Sequence, residues 1–214
     1  KPVDAVSDYE RQVAKCLELA MGFAGGVGAF TTMAANYGVN LPEEEVVRLV
    51  KAWRSAHPRI KALWYAIEDA AISAIDNPTS AYNVRGMRFD MRDGYLRIRT
   101  PNGTFLTYAS ARVVRECVAC DGTGQGISNG AQGPCGECYG SGKVKPRIAY
   151  HGINQYTRKW EEIDSWGGKF FENIVQKTAR DVFFSGLRLA ERNDYAVVVR
   201  VHDELLCETP ANDR

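Results

Sequence analysis

The chain has 214 residues, of which 45% are hydrophobic and 25% charged, enough for a sizeable core in one large domain or two small ones. A formal net charge of +1 excludes a global attraction to nucleic acid or membrane, so any such binding has to come from local patches. No apolar run approaches the roughly 18 residues needed to cross a bilayer and no signal-peptide pattern opens the chain, so a soluble, intracellular protein with no membrane partner is expected.

The chain begins Lys1-Pro2-Val3-Asp4 rather than with Met and stops at Arg214 soon after a strand pattern, so a piece of a longer protein is expected. Ser7 followed three residues later by Glu10 is a capping box and opens a helix over 8 to 23. Gly25-Gly26 breaks it, and a short helix over 27 to 37 follows, with Gly38 as its stop. Pro42 starts a helix through 56 with a Glu-rich first turn, and Pro58 starts another that ends before Asn77-Pro78. The first third is therefore expected to be all helical. From 82 to 108 the pattern changes to short strands, forming a small β element, with Pro101-Asn102-Gly103 as a turn. Arg85, Arg88, Arg92, Arg97 and Arg99 gather there, offset by Asp90 and Asp93, and read either as a nucleic-acid patch or as a solvated hairpin. A Gly-rich and Cys-rich stretch over 117 to 142 stands apart in composition. A long helix is expected over 164 to 192, with Gly167-Gly168 in its first turns. The fold class that follows is α+β.

Two copies of CxxCxGxG, Cys117-Val-Ala-Cys120-Asp-Gly122-Thr-Gly124 and Cys135-Gly-Glu-Cys138-Tyr-Gly140-Ser-Gly142, are separated by fourteen residues between Cys120 and Cys135. Each CxxC turn aims two thiolates at one point, and the glycines let the backbone wrap amides around sulfur, which points to a structural zinc ion. Disulfides or a redox pair are the alternatives, disfavoured in an intracellular chain. These repeats resemble the cysteine-rich domain of DnaJ-type chaperones, although that family carries four such units and a His-Pro-Asp motif, whereas His57-Pro58 here is followed by Arg59. Cys16 and Cys207 lie in apolar contexts and read as core thiols.

Arg11, Lys15, Leu19 and Phe23 recur every four residues along the first helix, so they share a face. Two cations followed by two apolar groups suit a ligand with phosphates at one end and a flat ring at the other, such as a nucleoside triphosphate; the alternative is a solvated basic end merging into core. At the other end, 196 to 208 reads as a buried antiparallel hairpin with His202-Asp203-Glu204 at its tip. Carboxylates pinned between core strands suggest a metal site, because burying them unpaired costs several kcal/mol. An ordinary polar turn is the competing reading.

Taken in order, several stretches resemble the C-terminal part of family A DNA polymerases, especially phage-type ones. They are Arg11-x3-Lys15 with Phe23-Ala-Gly-Gly-Val-Gly-Ala-Phe30, Thr157-Arg-Lys-Trp160, Gly167-Gly-Lys169, Glu172-Asn-Ile-Val-Gln176, Ala179-Arg-Asp181 and Val201-His-Asp-Glu204. The resemblance implies a right-hand polymerase piece: a helical fingers region over 1–112, a zinc-binding insertion over 113–146, and the end of the fingers with a partial antiparallel palm over 147–214, its catalytic hairpin at 195–209. It implies primer-template DNA and deoxynucleoside triphosphates as partners, replisome proteins beside them, and a host-cytoplasmic location for a phage-encoded enzyme. Arg11 and Lys15 would hold the nucleotide phosphates, with Lys15 protonating the leaving pyrophosphate. Leu19 would sit against base and sugar, and Phe23 would stack at the templating position. Gln176, and Asn173 beside it, would touch the duplex minor groove, and His202 would lie near the primer terminus. Asp203 would ligate Mg2+ in a two-metal site, supported by Glu204.

The sequence departs from that family in four ways, one being that Glu172-Asn173 stands where bacterial members space an Arg, an Asn and a Gln regularly along the long helix. The first palm motif, Asp-x-Ser-x-x-Glu, is absent and is expected upstream of Lys1, so this piece alone is expected to be inactive. Leu19 stands where the family has an aromatic residue, which implies altered dideoxynucleotide selection and processivity. The zinc insertion is extra, and Lys143, Lys145 and Arg147 after it suit contact with DNA phosphate or a partner protein. Rival readings are a DnaJ-type interaction module confined to 117 to 142, and a DNA-binding remnant without catalysis.

Overall fold

The computed structural model describes residues 3–128 and 131–210. The expected domain limits at 1–2 and 211–214, and positions 129–130 of the expected insertion, lie outside the described residues. The fold is α+β.

Helix α1 (Asp8–Gly22) starts at the capping box: the Glu10 amide donates to Ser7 Oγ and the Ser7 amide donates to Glu10 Oε2, at 3.3 and 2.9 Å. Helix α2 (Val27–Asn36) follows, and Gly38 leaves it in the left-handed region at φ +68. Helix α3 (Glu43–Ala56) follows Pro42 and opens on three glutamates that complement its dipole, and α4 (Pro58–Asp76) takes Pro58 in its first turn. The three helices and the start of α4 enclose one core, in which Trp53 and Trp64 stack at 6.1 Å beside Cys16, Met21 and Phe30.

The β element is larger than the sequence suggests. Strands β1 (Ala81–Val84), β2 (Met87–Arg92), β3 (Tyr95–Arg99), β4 (Phe105–Glu116), β7 (Lys143–Ile153) and β8 (Trp160–Ser165) form one six-stranded antiparallel sheet in that order. The two short strands β5 (Gln125–Ser128) and β6 (Ala131–Pro134) pair with each other inside the cysteine-rich stretch, which is inserted where β4 hands over to β7. Pro146 sits in an interior strand without breaking it. It falls beside the bulge where the β4 register shifts between Val114 and Glu116, and β8 begins pairing only at Ile148.

The second core lies between the sheet and two helices. Ile67, Ala71 and Ala74 of α4 and Phe170 and Ile174 of α5 (Gly167–Arg192) meet Phe89, Leu96, Ile98, Tyr108 and Ile148 of the sheet. Residues 164 and 165, expected as the start of the long helix, belong to β8 instead, paired with Ala149 and Ile148. The ladder with β7 overrides the helical tendency of Glu161-Glu162. Helix α5 has no side-chain cap of its own; buried Glu68 of α4 accepts the Gly167 amide at 3.3 Å. The contact requires glycine, because a Cβ at Gly167 would stand 1.8 Å from the Trp64 carbonyl oxygen.

After α5 the chain forms β9 (Ala196–Val201) and β10 (Glu204–Glu208), a separate two-stranded antiparallel hairpin. The expectation of a buried hairpin fails: Val198, Val199, Val201 and Leu206 are exposed, and so is Cys207, read above as a core thiol. Strand β9 packs on α5 and neither strand joins the six-stranded sheet, so their apolar faces lack cover among the described residues. Cys16 is buried as expected.

Candidate functional site

The four cysteines of the insertion form a tight, closed cluster. All four are buried, and their sulfurs lie within 4.8 Å of one another. Cys117 and Cys135 Sγ stand 3.9 Å apart, and Cys120 and Cys138 Sγ 3.7 Å. A tetrahedron with metal–sulfur bonds of about 2.3 Å has edges of about 3.8 Å, so the spacing suits a zinc-sized ion. The two repeats fold alike and exchange support. Gly124 and Gly142 amides each donate to the second sulfur of their own repeat, Cys120 and Cys138, at 3.3 Å. The Cys117 amide donates to the Gly142 carbonyl and the Cys135 amide to the Gly124 carbonyl, at 2.9 and 2.8 Å. Thr123 and Ser141 hydroxyls donate to the Cys120 and Cys138 carbonyls in matching turns. Asp121 and Tyr139, Gly122 and Gly140, and Gly124 and Gly142 all carry left-handed backbone. Burial, followed by a thiol hydrogen bond with Cys120, pushes Cys117 up to about 12. At Cys138 burial acts upward too, but the Gly142 amide and the neighbouring thiols outweigh it and pull the group down to about 7. The Gly142 amide thus favours the charged form of Cys138 that a cation requires of its ligand.

A second site lies between α5 and the terminal hairpin. Gln176, Arg180, Phe184, Arg200, His202 and Asp203 line an open groove of about 440 Å³. Residues 176, 180 and 184 recur at four-residue spacing on α5, while 200 and 202 alternate along β9 into the turn. The Arg180 and Arg200 guanidinium carbons lie 5.5 and 5.0 Å from the centroid of the Phe184 ring. His202 and Asp203 make the two-residue turn, with His202 left-handed at φ +53. Asp203 and Glu204 are exposed, so the burial argument for a metal at this tip does not hold. Among the described residues, the cysteine set is the one group of three or more His, Cys, Asp or Glu close enough to hold an ion.

The structure thus brings together Gln176, His202 and Asp203 and adds Arg180, given no role above although it lies in a matched stretch, and Arg200, which sequence reasoning passed over. Arg180 could have been found from its i, i+4 relation to Gln176, and Arg200 from its place two residues before His202. Asn173 is placed differently: its amide nitrogen donates to the Tyr108 hydroxyl at 3.0 Å, toward the sheet. Burial raises the Tyr108 hydroxyl well above the ordinary tyrosine range, against a smaller lowering by Asn173, so it stays protonated.

Arg11, Lys15, Leu19 and Phe23 do not line that groove. Arg11 and Lys15 are exposed on α1, with Lys15 Nζ 5.1 Å from the Tyr37 ring centroid, and Leu19 and Phe23 are half-buried. Phe23 caps the helix just beyond its last turn. In the arginine-rich hairpin, Asp90 accepts from both Arg88 and Arg97, at 3.2 and 2.7 Å, which neutralises part of the patch. Arg147 pairs with Asp164, and Lys145 Nζ lies 3.9 Å from Glu68.

No family model matches the chain, and no solved structure matches it. A protein named DNA polymerase, from Bacillus phage SP02, is 33% identical over 211 residues, which cover 98% of this chain and 28% of that protein. The chain therefore spans a little over a quarter of the length of that relative.

Proposed function

We propose that this chain is the fingers and part of the palm of a phage-type, family A DNA polymerase, which adds deoxynucleotides to a primer under the direction of a template. The observation that carries the reading is its similarity, along 98% of its length, to a protein named DNA polymerase. The groove between α5 and the hairpin supports it in kind, since two arginines, a glutamine and a histidine suit phosphate and sugar edges. In this reading 1–112 are fingers, 113–146 the zinc insertion and 147–214 the end of fingers with palm.

Each side chain then has a role in binding or orienting. Arg11 and Lys15, exposed and one turn apart, hold the triphosphate, and Lys15 Nζ gives its proton to the departing pyrophosphate. Leu19 and Phe23 continue that face toward sugar and base. Gln176 reaches the duplex minor groove and His202 the primer end, with Arg180 and Arg200 on the adjoining phosphates. Asn173, tied to Tyr108, serves the duplex by fixing α5 against the sheet.

Asp203 and Glu204 are the carboxylates this chain offers to catalytic magnesium. Among the described residues no third His, Cys, Asp or Glu stands near enough to close such a site. In this reading the partner carboxylate is not among these 214 residues, and the 214-residue chain alone is expected to lack activity. The exposed apolar faces of β9 and β10 support a larger sheet at this point. For the cysteine cluster the donors fit zinc, which would supply cross-linking without chemistry.

Primer extension tests the reading. In a polymerase carrying this segment, Asp203→Asn should abolish extension while leaving the melting temperature unchanged, because the side chain is exposed. Full extension by the variant would sink the assignment. Leu19→Phe should alter dideoxynucleotide incorporation and processivity, and no change in either would refute that role.

A further inference from the structure

A basic groove on the opposite helical pair has no part in the roles above. Lys51 and Arg54 of α3 and Lys61 and Tyr65 of α4 line an open depression of about 730 Å³. No carboxylate is among the groups lining it. In a chain whose net charge is only +1, that is a local concentration of positive charge. Arg54 is held by a 3.1 Å hydrogen bond to the Gly25 carbonyl, and its buried Nε has no partner. Tyr65 is 46% exposed, a large ring left facing solvent. Lys145, from the start of β7, stands at the rim with its Nζ 5.7 Å from the Tyr65 ring centroid and 3.9 Å from Glu68, which offsets part of its charge.

We infer that this groove binds single-stranded nucleic acid, and that the cysteine insertion holds its rim in place. The lysines meet phosphates, and Tyr65 offers a face on which an unpaired base stacks; a duplex keeps its base faces covered. The link to the insertion is covalent and short. Gly142, three residues before Lys145, is bound through its amide to Cys138 Sγ and through its carbonyl to the Cys117 amide. Filling the cysteine site therefore fixes the backbone that presents Lys143 and Lys145. The inference rests on the polymerase reading, in which an unpaired template strand is the natural occupant.

Fluorescence anisotropy on the zinc-loaded 214-residue chain tests it, with a single strand of about 12 nucleotides and a blunt duplex of the same sequence as probes. Lys51→Ala with Lys61→Ala should weaken single-strand binding about tenfold at low salt and flatten the log–log salt slope by about 1.4, with duplex binding unchanged. Both lysines are exposed, so folding, checked by circular dichroism, should be intact. Tyr65→Ala should cost roughly fivefold or more, and Tyr65→Phe little. Removing zinc from the wild type should lower single-strand affinity to that of Lys145→Ala. If an acidic peptide competes as well as the oligonucleotide, or if the double lysine variant keeps affinity and slope, the inference falls. Should duplex binding persist in that case and drop with Arg180→Ala, the polymerase reading stands without it. If single-strand binding behaves as expected but no duplex binding is found, the groove stands and the polymerase reading falls.

Discussion

Replacing Gly142 by alanine should cripple the cysteine site while leaving every ligand in place. Gly142 has φ +69, a backbone region that costs a residue with a Cβ about 1 kcal/mol or more. The added methyl would also stand 2.1 Å from the Gly122 carbonyl oxygen and 2.9 Å from its carbon, backbone atoms that cannot swing aside. Relieving that overlap moves one repeat against the other, and overpacking of this kind costs about 1–3 kcal/mol. The same shift loosens the Gly142 amide on Cys138 Sγ and the Cys117 amide on the Gly142 carbonyl. Because metal binding and ordering of the element are one equilibrium, about 2 kcal/mol or more should appear as a loss of at least roughly thirtyfold in zinc affinity. Competition against a chromophoric chelator measures it. Gly136→Ala is the internal control, since a Cβ there meets nothing within 4 Å and the backbone is not left-handed. Equal zinc affinities for the two variants would refute the reasoning.

Phe170→Ala should destabilise the chain by about 3–5 kcal/mol in chemical denaturation, since the ring is fully buried between α5 and the sheet, 4.8 Å edge-to-face from Tyr108. Glu68→Ala should cost about 1–3 kcal/mol, because the Gly167 amide at the buried start of α5 loses its acceptor; a variant melting like wild type would mean that water replaces it. Asp181 is pulled down to about 2 by Lys177 first, then by Thr104 and Asn102. With an ordinary carboxylate value near 4 in the unfolded chain, its contribution is complete above about pH 4 and is lost as pH falls toward 2. Asp181→Asn should therefore be less stable than wild type at neutral pH and show a flatter acid limb, and parallel acid-unfolding curves would contradict this.

Much of the helical region was legible because its signals are local. Ser7 with Glu10, Pro42, Pro58 and Gly38 each act within one turn, and the helix limits follow them. The cysteine cluster was legible for a similar reason, since a CxxC turn sets its own geometry and two copies have one economical way to meet. Strands β7 and β8 were not, because Pro146 and the Glu161-Glu162 pair argue against strand locally, and only pairing with β4 and between themselves makes them so. The terminal hairpin misled in the opposite direction. Its apolar run does form strands, but burial depends on what lies against them, and among the described residues that cover is α5 against β9. Gln176 entered through resemblance alone, whereas His202 and Asp203 already stood out as the polar tip of an apolar hairpin. The arrival of Arg200 beside Arg180 depends on the hairpin folding back along α5, a contact that no spacing in either segment encodes.

Helix α5 is divided along its length. Gly167, Gly168, Phe170 and Ile174 are buried, and beyond Ile174 none of its residues is. Amide hydrogens in the first two turns past Gly168 should accordingly exchange at rates close to those of the sheet core, while those from about Arg180 onward should exchange through local fraying. The same continuous helix thus spans a wide range of opening free energies, and the groove residues sit at its labile end. Whatever ligand or chain segment settles there would register first as slowed exchange from 176 to 192, well before any change in the melting of the whole.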